Sequence, residues 1–416
     1  MPGNGRRIYG FFNDMKEIHI TGIGIVSSIG VGKAAFWEGC RGAHPGIKST
    51  EGFLKEKHGS PLAGWVADFD PRRNLPPALY RRMSRMSRMA VSAGVEAVQD
   101  SGLDLTAIDR DRVAIVAGTA HGASSSIEAF FTSLMAEGPR GAQPFHFPET
   151  VPNAPAGNLA MVLEVTGPNT TFGQNDISAE SALLYARQLL LDNRADAAVV
   201  CGFDELNDMF FNCFDALGVL NPGRWVNGAW LPRPGSGIVL GEGAGAVVLE
   251  RRDFAVKRGA RSYARFAGGS VTGAPAATGG YDGCAPALAS AIRGALVLSD
   301  LPAARIDQIV VSANFSGHLE DVEAAVLRQQ LAGTSAWVTP LRYLTGSFGG
   351  AGILNAAALA LSIHRQTALP SITLDTLAAH EAPSWQNRPS HPTRTGLLTA
   401  CTYGGGCAAL LLAELR

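Results

Sequence analysis

Apolar and polar positions alternate along this chain with two different periods, and the switches between them mark its elements. Residues 17–26 (EIHITGIGIV) place β-branched residues on alternate positions and read as a strand running into a Gly-containing turn, with a short helix over 33–40. A helical period follows over 81–101, then a strand over 113–118, helices over 124–135, 158–165 and 178–191, and a buried strand over 197–202. Residues 237–250 (GIVLGEGAGAVVLE) read as two strands around a Gly-rich turn. The alternation then starts again, with strands at 262–268 and 308–313, helices at 285–298, 322–331 and 351–364, and closing strands at 396–403 and 408–415. Two α/β halves of comparable order result, and no short repeat, heptad or charged linker separates them, so one integrated unit is expected.

Composition narrows the function classes. The 416 residues are 46% hydrophobic and 17% charged with 49 Gly, as suits tightly packed layers. Thirty-five Lys and Arg against thirty-six Asp and Glu leave no global field for nucleic acid, so attraction to a charged partner has to be local. The six Cys (40, 201, 213, 284, 401 and 407) lack CxxC spacing and several lie in apolar runs. They read as buried, reduced thiols, with no disulfide framework, zinc site or other metal expected. No apolar run reaches the ~18 residues of a membrane span and no signal-peptide pattern precedes Met15, so a cytoplasmic protein is expected, with residues 1–16 as an extension outside the fold.

Several segments, in order and at family spacing, resemble the β-ketoacyl synthases of fatty acid and polyketide synthesis. They are ITGIGIVSSIG from Ile20, FWEGCRGAHPGI from Phe36, Gly167-Pro168, RADAAVVCGFDE from Arg194 and, most specific, GIVLGEGAGAVVLE. The resemblance covers nearly the whole chain from Ile18. It implies the thiolase-like five-layered α-β-α-β-α fold of two duplicated halves, here 17–255 and 256–416.

It also implies where a catalytic Cys-His-His set would lie. Counting from Gly167-Pro168 and back from RADAAVV puts Asp176 at the position of the nucleophilic Cys, whose thiol active members sharpen at a helix N-terminus. Asp heading a helix reads first as an N-cap. In VSANFSGH, Asn314 stands at the first His position; His318 is expected in a loop or at the surface. In RYLTGSFGGAG, Arg342 replaces the usual Lys and Ser347 the second His. The two imidazoles stabilise charge developing during decarboxylation, a task Asn partly mimics and Ser hardly. Joint loss of all three groups implies a dead condensation site. The gating loop, Gly-Phe-Gly-Gly in the family, is Tyr403-Gly404-Gly405-Gly406, with Gly404 at the bulky position.

Members without the Cys serve as chain length factors beside an active subunit. The resemblance therefore implies a non-catalytic subunit pairing with a Cys-containing ketosynthase. Its chains are carried by an acyl carrier protein that supplies the phosphopantetheine, with no cofactor of its own. The competing reading is an independent acyl-thioester enzyme, performing acyl transfer, hydrolysis or decarboxylation through Asp176 or Ser178.

Three further features have plain explanations beside sharper ones. Arg81, Arg82, Arg85 and Arg88 alternate with Met83, Met86 and Met89 at helical spacing, which gives a solvated face over a core face and also suits docking of an acidic carrier protein. Ser124, Ser125 and Ser126, near His121, suggest a hydrolase, but they lack the Gly-x-Ser-x-Gly elbow and read as helix caps. Glu242, in a Gly-rich turn without a Lys-Ser/Thr ending, is expected to satisfy backbone amides rather than cradle phosphate.

Overall fold

The first strand, β1 (Ile18–Ser27), is buried along its whole length, which requires cover on both faces. Two glycines supply part of that fit. A Cβ on Gly22 would lie 2.1 Å from the Ala97 carbonyl oxygen, and one on Gly24 would lie 2.0 Å from that of Ala93. The Gly-x-Gly of this segment thus lets a helix rest directly on the strand. Gly24→Ala is expected to cost about 2 kcal/mol through overpacking, as read from the shift in denaturant midpoint.

The computed structural model describes residues 17–54, 59–142, 147–275, 280–334, 337–386 and 392–415; the extension expected at 1–16 lies outside them. After β1 come α1 (Lys33–Arg41), α2 (Arg85–Ser101), β2 (Val113–Gly118), α3 (Ser124–Glu137), α4 (Ala154–Leu163), β3 (Asn169–Phe172), α5 (Ser178–Leu191), β4 (Ala197–Asp204), α6 (Asp208–Ala216) and β5 (Gly243–Arg251). The second half runs β6 (Ala264–Gly273), α7 (Cys284–Ser299), β7 (Gln308–Val310), α8 (His318–Gln330), β8 (Trp337–Thr339), α9 (Ala351–Arg365), β9 (Thr395–Cys401) and β10 (Gly406–Ala413).

The ladder reads β3-β2-β4-β5-β1-β6-β10-β9-β7-β8. Each half repeats one order, with its third strand at the outer edge and its first strand at the seam. In each, the last strand is antiparallel to both neighbours: β5 to β4 and β1, β10 to β9 and β6. The remaining pairs within each half are parallel, and the seam pair β1–β6 is antiparallel. The halves meet where Ile18, His19 and Ile20 pair with Phe266, Arg265 and Ala264. One apolar cluster fills the middle, built on α5, α9 and the inward faces of both halves. A second packs α7 and α8 on the C-terminal strands, and a third packs α2 and α4 on the N-terminal ones. Five layers result, with α5 and α9 as the central one. In α9, every residue from Ala351 to Ile363 is buried.

Some expected elements differ. The stretch 237–250 forms a single strand, because its first part bonds outside the sheet, with bridges from Ile238 to Leu220, Leu240 to Ser347 and Gly241 to Gly64. The helix expected from 81 begins at Arg85, because Ser84 takes the N-cap and accepts from the Ser87 amide. The four arginines therefore form no single helical stripe: Arg81 and Arg82 precede the helix. Arg85 turns inward, its Nη2 2.5 Å from Glu242 Oε1, and Arg88 donates to the Tyr80 carbonyl. The serines of α3 cap nothing with their side chains. Ala123 holds the N-cap position, Ser124 Oγ is buried without a partner, and Glu205 accepts from the Ser125 amide. The three-residue β8 escaped the periodicity because so short a run carries no alternation. Among the described residues, no helix is long and apolar enough to cross a membrane.

Candidate functional site

The duplication brings corresponding strand ends to one place. β3 leads into a tight turn, Asn175–Ile177, from which α5 departs, and β8 leads through a helical turn, Arg342–Thr345, to Ser347 and α9. Asp176 and Ser347 thus stand just ahead of the two central helices. His121 follows β2 and Asn314 follows β7, the second strand of each half. All four line a cavity of about 120 Å3, together with Phe348 and Tyr403. This is well below the ~300–1,000 Å3 of ordinary ligand sites.

An ion pair occupies the position where the resemblance implies a nucleophile. Arg342, its side chain wholly buried, donates from Nη1 to Asp176 Oδ1 at 3.1 Å and to Ser347 Oγ at 3.2 Å, and from Nη2 to the Asp176 carbonyl at 3.2 Å. Arg342 Nε has no partner. The N-cap reading of Asp176 is overturned, since no side-chain cap bond forms at α5 and Ile177 holds the cap position. The guanidinium wins because a charged partner binds the carboxylate more strongly than a neutral amide does.

Asn314 serves its own loop, its Oδ1 accepting from the Ser316 amide at 3.2 Å. Behind it, the buried Glu320 carboxylate accepts from the amides of Asn314, Phe315 and Gly317, from Ser316 Oγ and from Tyr343 Oη. This set holds Phe315 at φ +75°, a left-handed conformation that a bulky residue adopts only when its surroundings impose it. Ser178 is fully buried; its hydroxyl accepts from the Gln174 amide and lies within bonding distance of the Thr119 and Asn175 carbonyls, so it has no free attacking position. His318 is half-exposed beside Asp282 at 3.1 Å. Glu242 accepts from the Val66 and Leu206 amides, as its turn suggests, and also pairs with Arg85.

Residue order alone did not bring three residues to this site. His121 lies against Phe210 and Phe214 in the cavity wall; its signal was its place at the end of the second strand, matching Asn314 in the other half. Gly404 has no side chain at the gate position, and Tyr403, one residue earlier, lines the cavity and stacks on Tyr281 at 4.6 Å. Gly404 and Gly405, at φ +87° and +89°, turn the chain there. Glu180 lies in the first turn of α5, its oxygens buried without partners. Burial pushes its carboxyl up to about 7, opposed by Arg342 and reinforced by Asp176. Because that value exceeds the ordinary 4.5, the folded chain holds the proton more tightly than the unfolded one. The associated stability is complete below about 4.5 and lost as pH rises through about 7. Relative to wild type, Glu180→Gln is therefore expected to gain about 2 kcal/mol between pH 5 and pH 8, measured by denaturant unfolding at both.

Comparison with known proteins agrees with this arrangement. The family profile "Beta-ketoacyl synthase, N-terminal domain" matches residues 15–255. The chain is 27% identical over 372 residues to a 3-oxoacyl-[acyl-carrier-protein] synthase 2 of Vibrio harveyi, covering 86% of this chain and 89% of that protein. Its fold superimposes on the ishigamide ketosynthase/chain length factor with a TM-score of 0.82 at 24% identity, over 96% of this chain and 99% of that one. A type II polyketide synthase structure, of an acyl-carrier protein in complex with its ketosynthase bound to the hexaketide, superimposes with a TM-score of 0.82 at 21% identity and the same coverage. Strand order, layers and family profile together place this chain in the beta-ketoacyl synthase family, with its thiolase-like fold.

Proposed function

We propose that the chain is a non-catalytic ketosynthase-like subunit of the chain length factor type. It pairs with a Cys-bearing β-ketoacyl synthase in polyketide, polyene or fatty acid elongation and limits or orients the chain that an acyl carrier protein delivers. The observation that carries this reading is the Asp176–Arg342–Ser347 cluster. The carboxylate in the nucleophile position is engaged by a buried guanidinium, and no imidazole stands at either implied His position. His121 approaches the cavity from the other half and is packed against aromatic rings.

A second subunit also suits the molecular surface. The ladder ends at β3, whose outer edge has no strand partner among the described residues, and an open edge invites pairing. Exposed Phe131, Met135, Phe147 and Met161 belong to the segments between β2 and β3 that lead to this edge. An apolar cavity of about 560 Å3, lined in part by Leu79, Met83, Met161 and Val162, has Arg82 at its wall. The phosphopantetheine arm comes with the carrier protein, and a carrier rich in acidic residues would meet Arg81 and Arg82 first.

The test is a malonyl-carrier-protein elongation assay with the chain alone and co-purified with a Cys-bearing ketosynthase encoded beside it, each with Asp176→Asn as control. Elongation is expected only from the pair, unchanged within about twofold by the substitution, because a spectator carboxylate contributes nothing to the transition state. Elongation or thioester hydrolysis by the chain alone, abolished by Asp176→Asn, would make this a carboxylate-dependent enzyme and end the subunit reading.

A further inference from the structure

Three cysteines far apart in sequence meet at the base of the gating loop. Cys401 ends β9, Cys407 is the second residue of β10 and stands directly opposite it, and Cys284 opens α7. All three are buried, and their sulfurs all lie within 4.8 Å of one another. Cys401 and Cys407 are closest, Sγ to Sγ at 3.4 Å. Among the described residues this is the only grouping of three or more potential metal-ligating side chains. The sequence reading discounted a metal because no CxxC spacing is present; the hairpin and the helix start supply the proximity that spacing did not.

We propose that Cys284, Cys401 and Cys407 form a three-thiolate site for a soft d10 cation, Cu(I), which clamps the ends of the Tyr403–Gly406 loop to α7. Metal–sulfur bonds of about 2.3 Å place three sulfurs around one ion about 4 Å apart, so the observed separations need only small adjustments. An all-sulfur donor set selects soft cations and rejects magnesium or calcium. Three ligands complete a trigonal Cu(I) site, whereas structural Zn(II) takes four. The first turn of α7 favours the thiolate of Cys284, and each ligating thiol releases its proton to solvent on binding. A third sulfur within 4.8 Å of the other two is superfluous for a disulfide but necessary for a trigonal ion. The clamp would act on the cavity directly: Tyr403 lines it and stacks on Tyr281, three residues before Cys284.

The test is anaerobic titration of the reduced full chain with Cu(I) delivered from a competing chelator. One equivalent is expected, with thiolate-to-metal absorption and, by X-ray absorption on the wild-type protein, a shell of three sulfurs. Cys401→Ser and Cys407→Ser are each expected to weaken binding by more than the ~10–100-fold that loss of an outer-shell partner costs, while Cys40→Ser and Cys213→Ser leave it unchanged. The wild-type sulfur count keeps the test valid should a variant fold poorly. No uptake, uptake that survives Cys407→Ser, or a wild-type shell of only two sulfurs would each overturn the proposal.

Discussion

Asp176→Ala is expected to destabilise the chain by about 3 kcal/mol at pH 5, measured by denaturant unfolding. The substitution removes the one carboxylate that Arg342 touches while leaving a guanidinium with no solvent exposure. An uncompensated buried charge costs more than the pair itself contributes, so the loss should exceed that of an ordinary surface ion pair several-fold. Two further results follow from the geometry. Arg342→Met in the same chain should recover most of the loss, because it removes the stranded charge and fills the space with an apolar side chain. The loss should also be smaller at pH 8 than at pH 5. Glu180, whose carboxyl is held up to about 7 by burial and feels both Asp176 and Arg342, is ionised there and can take over as the counter-charge. A pH-independent loss, or no rescue by the double substitution, would show that the cluster is not coupled in this way.

Glu320→Ala is expected to have the larger effect, about 4 kcal/mol or more. The carboxylate is fully buried and accepts from three backbone amides in the four residues 314–317, the shortest of these bonds being 2.7 Å from Phe315 and from Gly317. Deleting it leaves buried donors unsatisfied at ~1–3 kcal/mol each and releases Phe315 from its left-handed backbone. Hydrogen exchange of the 314–317 amides should rise first, before global unfolding. Glu320→Gln keeps one acceptor oxygen and should lose roughly half as much. Unchanged protection of these amides in Glu320→Ala would mean that the loop is held by packing alone.

The parts of this molecule written in its sequence are those governed by local periodicity. Helices at 178–191 and 351–365 and the strand at 113–118 were legible because each is long or apolar enough to carry its own pattern, and the order of elements gave the duplicated fold. The identities of Asp176, Asn314, Arg342 and Ser347 were legible as departures from a family pattern. Their relation was not: Arg342 lies 166 positions from Asp176, and nothing local says that one neutralises the other instead of the carboxylate capping a helix. The same blindness to distant pairing misplaced Arg85, whose partner is Glu242, and separated Cys284 from Cys401 and Cys407. At the gate the family spacing named Tyr403 within the loop but put the bulky position one residue later, at Gly404, and so did not show that the Tyr403 ring itself lines the cavity.

The seam between the two halves has a consequence for how the chain acquires its structure during synthesis. The main partners of the amino-terminal strand are far from it in sequence: apart from a two-residue ladder with Gly30–Val31, it pairs through Ile18 with Arg251 on one side and with Phe266 on the other. Both partners emerge from the ribosome long after it, at ~5–20 residues per second. For that interval β1, an apolar segment with Gly22 and Gly24, has only the short ladder to Gly30–Val31 and waits without its two long partners. Such high contact order predicts slow refolding and a strong dependence on chaperones that shield exposed strands. It also predicts that truncations ending before β6 leave the first half with an open apolar edge at β1.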